Sequence, residues 1–305
     1  MKRIGIVQKA APHLDLPAAM LVLEGWLDRA AQEQIDLLVF GEGWLSGYPL
    51  WFDHVPEAAL WDHPATKKVY ARFRANSLAI NGPEFNKVCQ LVKDRQLLVL
   101  LGMNEKVNQG PGNGTIYNSF VLIGPEGKVL NHHRKLCPTF TEKLVHGPGD
   151  ARGLQTVETA AGRIGGLICW EHWMPLTRQA LHDAGETIHV ALWPNVLEKH
   201  QLASRHYAFE GRCFVVAAGQ LMRANELPSE WPLPKHLASD PQQWLLKGGS
   251  CVIGPDGDYL VEPDFDGQEW ITAEVDSEKC VQEQMTLDVT GHYARNDLFD
   301  FKVNR

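Results

Sequence analysis

Four residues of this chain combine side-chain type and setting in a way that suits thiol chemistry: Cys169, Glu42, Lys135 and Glu142. Cys169 stands in "GGLICWEHWMP", Gly165 to Pro175, where small and apolar residues deliver the cysteine into Trp-Glu-His-Trp and then a proline. A strand ending at the cysteine, with a helix from Pro175, would expose a nucleophile at a sheet end where backbone N–H groups can hold a thiolate. The competing reading is the last core residue of a strand, since free cysteine is among the most buried residue types. A thiol also needs activation. "LLVFGEGWLSGYP" sets Glu42 at the end of an apolar strand in a glycine-rich turn, where partial desolvation would raise its pKa toward proton transfer. The alternative is a solvated loop glutamate. "NHHRKLCPTFTEKLVHGPGD" holds Lys135 and Glu142. An ammonium near the thiolate and near a developing anion would stabilise both, unless the segment is only a solvated basic stretch. His172 is a rival base because Cys–His pairs are common in thiol enzymes, although in the known Cys–His hydrolases the partner is distant in sequence. His132 and His133 have no partners at metal-ligand spacing and read as surface or pocket residues.

The elements that must position these residues alternate short apolar runs with amphipathic stretches. Strands are predicted at "RIGIVQ", "IDLLVF", "LLVLLG", "NSFVLIG", "GRIGGLIC", "IHVALW", "FVVAAG", "GSCVIG" and "EWITAEV". Helices are predicted from about Pro17 to Gln34, from Pro83 to near Gln96, from Pro175 to a stop at Gly185, and before Gly211. "SFVLIGPEGKVLN" (Ser119–Asn131) and "SCVIGPDGDYLVE" (Ser250–Glu262) share a strand, Gly-Pro-acid-Gly, strand pattern. Both read as hairpins, and two hairpins so far apart imply two sheets on related plans. Leu227 to Gln243 reads as a long surface excursion, and no low-complexity linker divides the chain. The expectation is one α/β domain with helices outside two inner sheets.

Composition narrows the function. With 305 residues, 44% hydrophobic and 22% charged, the chain has the make-up of a soluble globular protein. A net charge of −8 disfavours nucleic acid or an anionic membrane as partner. Apolar runs such as "QLLVLLG" are too short to cross a bilayer, and Met1-Lys2-Arg3 leads into a strand and not a signal peptide, so a cytoplasmic protein is expected. The six cysteines lack any C-x-x-C pair, which argues against a disulfide framework or a thiolate zinc site. "NQGPGNGT" has glycines but no phosphate-loop Lys-Ser/Thr, and no cofactor or metal is expected.

Taken together, "FGEGWLSGYP", "HHRKLCPTFTEKL" and "GGLICWEHWMP", in that order, resemble the nitrilase branch of the carbon–nitrogen hydrolase superfamily. "GTIYNSFVLIGPEGKV", "AFEGRCFVVAAGQ", "GGSCVIGPDG" and "LDVTGHYARNDLF" extend the resemblance over essentially the whole chain. It implies a four-layer α-β-β-α sandwich and one hydrolase domain over 1–305, with a tail from about 285 to 305 at an oligomer interface. It also implies Cys169 as nucleophile, Glu42 as general base, Lys135 as the cation that stabilises tetrahedral intermediates and Glu142 as a second glutamate that helps order this cluster. The activity implied is hydrolysis of a nitrile to acid and ammonia, in a homodimer or larger homo-oligomer. Trp170-Glu171 after the cysteine resembles true nitrilases and cyanide-degrading relatives more than the amidases, which usually carry aspartate there. An amidase or carbamoyl hydrolase with the same site is the alternative, and a catalytically silent scaffold the rival from another class. Tyr48, Trp170, Glu171, His172 and Trp193 are expected to touch substrate, with Trp44, Trp51 and Trp173 as further aromatics near the pocket, favouring an aryl or arylaliphatic nitrile. About half of these aromatics are expected to be core packing instead. Gly41 before the glutamate, and His146 and Ala151 in the loop after Glu142, depart from the family pattern. The chain ends soon after "GHYARNDLF", which argues against long spirals.

Overall fold

The computed structural model describes residues 1–54, 59–228 and 235–305. Its core is two six-stranded sheets. The first contains β1 (Lys2–Val7), β2 (Leu37–Phe40), β3 (Val99–Lys106), β4 (Ile116–Ile123), β5 (Val129–Arg134) and β14 (Trp270–Val275), in the order β14-β1-β2-β3-β4-β5. The second contains β6 (Val157–Thr159), β7 (Gly162–Ile168), β8 (Ile188–Leu192), β9 (Phe214–Ala218), β12 (Ser250–Ile253) and β13 (Tyr259–Asp264), in the order β13-β12-β9-β8-β7-β6. A small antiparallel ribbon joins β10 (Leu221–Arg223) to β11 (Trp244–Lys247).

Strand composition dictates the layering. The central strands are apolar at nearly every position because both faces are covered. In the first sheet Leu37, Val39, Leu100, Phe120 and Leu122 pack toward Ile164, Leu167, Val190 and Val216 of the second. Their neighbours Leu38, Phe40, Val99, Leu101 and Val121 pack on the other face against α1 (Leu16–Gln32) and α4 (Pro83–Asp94). Leu16, Ala19, Met20, Leu23, Leu27 and Ala30 form one buried stripe on α1 at helical spacing, and Asp15 caps that helix by accepting from Ala18 N at 3.1 Å. The outer face of the second sheet carries α5 (Pro175–Asp183) and α6 (Glu198–Gly211), whose Leu181, Ala203, Tyr207 and Ala208 join its core. The expected α-β-β-α sandwich is observed.

Both expected hairpins form, one in each sheet. Gly127 and Gly257 take positive φ (+73° and +83°) in the two turns, and Gly124 N and Gly254 N donate to Lys128 O and Asp258 O at 2.9 and 2.8 Å. The related plan holds strand by strand. β1-β2-β3 are parallel and continue antiparallel through β4 and β5; β7-β8-β9 are parallel and continue antiparallel through β12 and β13. Each sheet carries one more antiparallel strand beside its first parallel one, β14 and β6.

Among the described residues, four helices lie outside the sequence expectation: α2 (Trp51–His54), α3 (Pro64–Asn76), α7 (Lys235–Ser239) and α8 (Glu278–Gln284). α3 buries only Val69 and Phe73 of its 13 residues, so it shows little apolar periodicity. The excursion at 227–243 contains α7, which buries Leu237, and positions 229–234 of it lie outside the described residues. Among the described residues no helix is long and apolar enough to cross a membrane.

Candidate active site

Three chain segments bring the expected residues together. Because β5 runs in the same direction as β2 and β3, the ends of β2 and β5 lie on one edge of the first sheet, and Glu42 and Lys135 follow them directly. Cys169 follows β7 in the second sheet. The two edges meet where Glu42 N donates to Trp193 O just past β8 (3.4 Å) and Gln220 Nε2 donates to Glu42 O (2.7 Å). Gly41 allows this close approach: a Cβ there would stand 3.2 Å from Trp193 O and 3.1 Å from Gln220 Cγ. Cys169 has φ +52°, a left-handed conformation that side-chain-bearing residues seldom adopt.

Lys135 is the hub. Its Nζ donates to Glu42 Oε1 at 2.8 Å and to Glu142 Oε1 and Oε2 at 2.9 and 2.8 Å, with all three residues essentially inaccessible to solvent. Glu142 sits in a single 3₁₀ turn, Phe140–Leu144, and also accepts from Thr139 N (3.1 Å) and Tyr48 OH (3.0 Å). Glu42 Oε1 accepts a further bond from Asn118 Nδ2 at 2.7 Å, whereas Glu42 Oε2 has no hydrogen-bond partner. Asn118 lies within one of the family-like segments but had no expected role; its signal is a buried amide in the mostly apolar "IYNSFVLI" strand.

Burial and charge divide the work among these groups. Burial pushes Glu42 up to about 7, a shift that Lys135 opposes and Glu142 reinforces. Burial also pushes Glu142 up, but Lys135 and His146 outweigh it and the net direction is down. Lys135 loses hydration, yet Glu42, Cys169 and Glu142 hold it charged. The Cys169 thiol is pushed well above its usual value by burial and by Glu42, against the pull of Lys135. The resting arrangement is therefore a neutral thiol beside a carboxyl poised near neutrality and a permanent cation, which suits base-assisted thiol attack.

The expected substrate contacts divide. Tyr48 reaches the cluster through Glu142. Glu171, expected at the substrate, is a brace instead: Oε1 accepts from Leu136 N (2.8 Å), Oε2 from Ile168 N (2.7 Å), and His133 Nε2 lies 3.0 Å from both. It ties the segment after Lys135 to the strand before Cys169, and His133 is a buried part of that tie and not a surface residue. His172, expected at the substrate and weighed as a rival base, has both ring nitrogens engaged inside the protein: Nδ1 lies 2.7 Å from Cys169 O and Nε2 lies 3.0 Å from His189 Nε2. Trp193 is fully buried, stacked on His172 at 4.6 Å and donating to Ser204 Oγ. Trp44 and Trp51 are also core residues, while Trp170 and Trp173 stand 42% and 40% exposed on the outer surface. His146, one of the departures from the family pattern, is buried with Nε2 at 3.0 Å from Asn104 Oδ1; Asn104 Nδ2 in turn donates to Gly47 O at 2.8 Å, tying the Glu142 turn to the Glu42 loop.

Comparison with known proteins decides the family. The sequence pattern of the family described as "Carbon-nitrogen hydrolase" matches residues 3–283. The chain belongs to the carbon–nitrogen hydrolase family. The enzyme is 36% identical to "Nitrilase 2" of an unknown prokaryotic organism over 99% of this chain and 92% of that one. It is 31% identical to an aliphatic nitrilase of Sinorhizobium fredii, over 99% and 95% of the two chains. It is 30% identical to an arylacetonitrilase of Trametes versicolor, over 99% and 96%. In fold it matches a carbon–nitrogen hydrolase of Helicobacter pylori with TM-score 0.70 at 18% identity, covering 93% of this chain and 92% of that one. A superfamily protein of Xanthomonas campestris with an arsenic adduct in its active site matches with TM-score 0.71 at 18% identity, over 99% of both chains. The protein is a hydrolase acting on carbon–nitrogen bonds.

Proposed function

We propose that this hydrolase is a nitrilase that converts an organic nitrile to its carboxylic acid and ammonia, with Cys169 as nucleophile, Glu42 as general base, Lys135 as the stabilising cation and Glu142 as the residue that holds Lys135. The observation that carries the reading is the Lys135 ammonium clamped between two buried carboxylates beside a neutral thiol, with one oxygen of Glu42 left free of hydrogen bonds. Sγ bonds to the nitrile carbon while Glu42 takes the thiol proton and passes it to nitrogen, giving a thioimidate. Water then adds with Glu42 again accepting a proton, and the tetrahedral species expels ammonia to leave a thioester. A second water releases the acid and restores the thiol. Lys135 faces charge that grows toward each transition state, where one preorganised donor contributes about 3 kcal/mol. Expulsion of the thiolate in place of ammonia gives the amide as by-product. The names of the relatives support the nitrile over the amide as substrate.

The whole chain acts as one hydrolase domain and pairs with a second copy. Exposed Trp170, Trp173, Leu176, Leu202 and Phe209 around α5 and α6, and Met285, Tyr293, Leu298 and Phe299 in the tail, supply apolar surface for pairing.

The test is ammonia release from a panel of aryl, arylaliphatic and aliphatic nitriles and their amides, with intact-mass spectrometry. Ammonia from nitriles with an acyl adduct on Cys169 is expected. Ammonia from amides alone moves the enzyme to the amidases, and silence with no adduct overturns the reading.

A further inference from the structure

Behind Cys169 lies a buried row of ionisable side chains that the proposed chemistry does not use: His172, His189, Glu186 and Tyr207. Its hydrogens can be placed from the heavy atoms. Cys169 O can only accept, so His172 Nδ1, 2.7 Å away, carries a proton. Burial and His189 keep the His172 ring neutral, which leaves Nε2 as an acceptor. Its partner, His189 Nε2 at 3.0 Å, must then be the donor. The other nitrogen of His189 lies 2.8 Å from Glu186 Oε2, and Glu186 Oε1 accepts from the Tyr207 hydroxyl. Burial pushes Glu186 up, but His189 and His182 outweigh it and hold it at about 2, a carboxylate. A carboxylate only accepts, so the 2.8 Å contact is filled by a proton shared between His189 Nδ1 and Glu186 Oε2, beside the one that His189 Nε2 donates to His172.

We propose that His172 is a positioning residue for Cys169 and that the proton shared by His189 and Glu186 sets the direction in which His172 donates. This rests on the reading of Cys169 as nucleophile. Without that proton, His189 keeps its remaining N–H toward Glu186 and presents a bare Nε2 to the bare Nε2 of His172. His172 then has to carry its own proton on Nε2, and Cys169 O loses its donor. That carbonyl belongs to the residue at φ +52°, and it shares a rigid plane with the Trp170 amide, so the bond fixes the peptide on which the thiol is mounted. The rings cannot turn away: His172 stacks on Trp193 at 4.6 Å and His189 on Tyr207 at 3.8 Å.

The charged and ionisable groups packed around the row are few. From α5, His182 lies between Glu186 (3.6 Å) and Glu210 (3.2 Å), and Arg178 donates to His172 O (3.1 Å) and to Glu210 (2.7 Å). From α6 come Glu210 and Tyr207, and just beyond it the Cys213 thiol, which burial and Glu186 keep protonated.

Two measurements test this without a nitrile. Nitrogen-15 NMR of histidine-labelled enzyme, with His172→Asn to assign the signal, should show His172 neutral with its proton on Nδ1 and a donor N–H on Nε2 of His189. A proton on Nε2 of His172, or a bare Nε2 on His189, overturns the proposal. The second is the rate of Cys169 alkylation by iodoacetamide, localised by mass spectrometry. An asparagine amide stands where Nδ1–H stands, so His172→Asn should alkylate within about twofold of the parent. His172→Leu leaves the carbonyl without a donor and should fall about tenfold. Equal rates for parent and the leucine variant overturn the proposal, as does an asparagine variant as slow as the leucine one. If His172→Leu does not fold, the tautomer read on the unaltered enzyme still decides. Absence of nitrile hydrolysis alongside the expected tautomer would refute the proposed substrate and leave this positioning role standing.

Discussion

Replacing Asn118 with leucine isolates one contribution to the tuning of Glu42. Asn118 Nδ2 donates to Glu42 Oε1 at 2.7 Å, and its own Oδ1 has no partner, so a leucine of similar size removes one donor from the carboxylate, which keeps Lys135, and disturbs no other bond. The bond favours the charged form of Glu42. A hydrogen bond to a charged group contributes about 1.5–3 kcal/mol, and about 1.4 kcal/mol corresponds to one pH unit. Glu42 titrates near 7 and must be ionised to accept the thiol proton, so activity is lost as pH falls through about 7. Without Asn118 that acid limb should move up by about one to two pH units. At pH 7, where about half of the parental Glu42 is ionised, the variant should retain between about a fifth and about a fiftieth of parental kcat/KM, and recover toward the parental plateau once pH passes the displaced limb. The assay is ammonia release, or Cys169 alkylation, across pH. A limb that stays in place or moves to lower pH refutes the reasoning, as does a rate loss equal at every pH, which would mean lost geometry and not altered ionisation.

Other expectations follow from the same cluster. Cys169→Ala removes a nucleophile and few packing atoms, so turnover should vanish while Tm stays within a few degrees, the scale on which a small loss of packing moves a chain of this size; persistent turnover in a pure sample refutes the assignment. Lys135→Met leaves Glu42 and Glu142 facing each other with no cation between them, and breaking such a buried pair costs about 3–5 kcal/mol. Glu42, already above its unfolded value, then rises further, and Glu142 loses the cation that held it down, so stability is kept below about pH 4.5 and lost as pH rises; Tm equal to the parent's at pH 8 would refute this. Tyr48→Phe removes one of the donors to Glu142 and should lower kcat by about three- to tenfold, measured with saturating substrate; an unchanged kcat removes Tyr48 from the machinery. Leu202→Glu places a charge on the exposed α6 face and should shift the enzyme to a smaller species by light scattering; an unchanged mass moves the pairing surface elsewhere.

The layered fold was legible because its signals are local. Apolar strands, a proline at a helix start and a Gly-Pro-acid-Gly turn each act within a few residues, and the helix boundaries at Leu16–Gln32 and Pro175–Asp183 lie close to the expected ones. Helix α3 was not legible, since its buried face amounts to Val69 and Phe73. In the site, type and setting alone left Cys169 an open question and favoured ordinary surface roles for Glu42, Lys135 and Glu142; the ordered set of family-like segments singled them out, and the structure brings them to one place. The direction of a side chain is a different matter. Glu171 and His172 sit beside Cys169 in sequence, yet the 3₁₀ turn Cys169–Trp173 aims both into the protein, and only pairing across the fold shows it. Asn118 is the converse: 76 residues separate it from Glu42, and no short-range pattern links an amide in one strand to a carboxylate after another.

The pairing of β14 with β1 has a consequence for how the chain is made. Lys2 to Val7 finds its antiparallel neighbour in Trp270 to Val275, so during synthesis the outer edge of the first strand stays open until Trp270 to Val275 has emerged. An uncovered strand edge is a template for pairing with another chain. The ribosome therefore holds a half-finished sandwich whose Glu42 and Lys135 side is laid down well before the strand that seals it, and a truncation that removes 270–275 should leave a product prone to aggregate through β1.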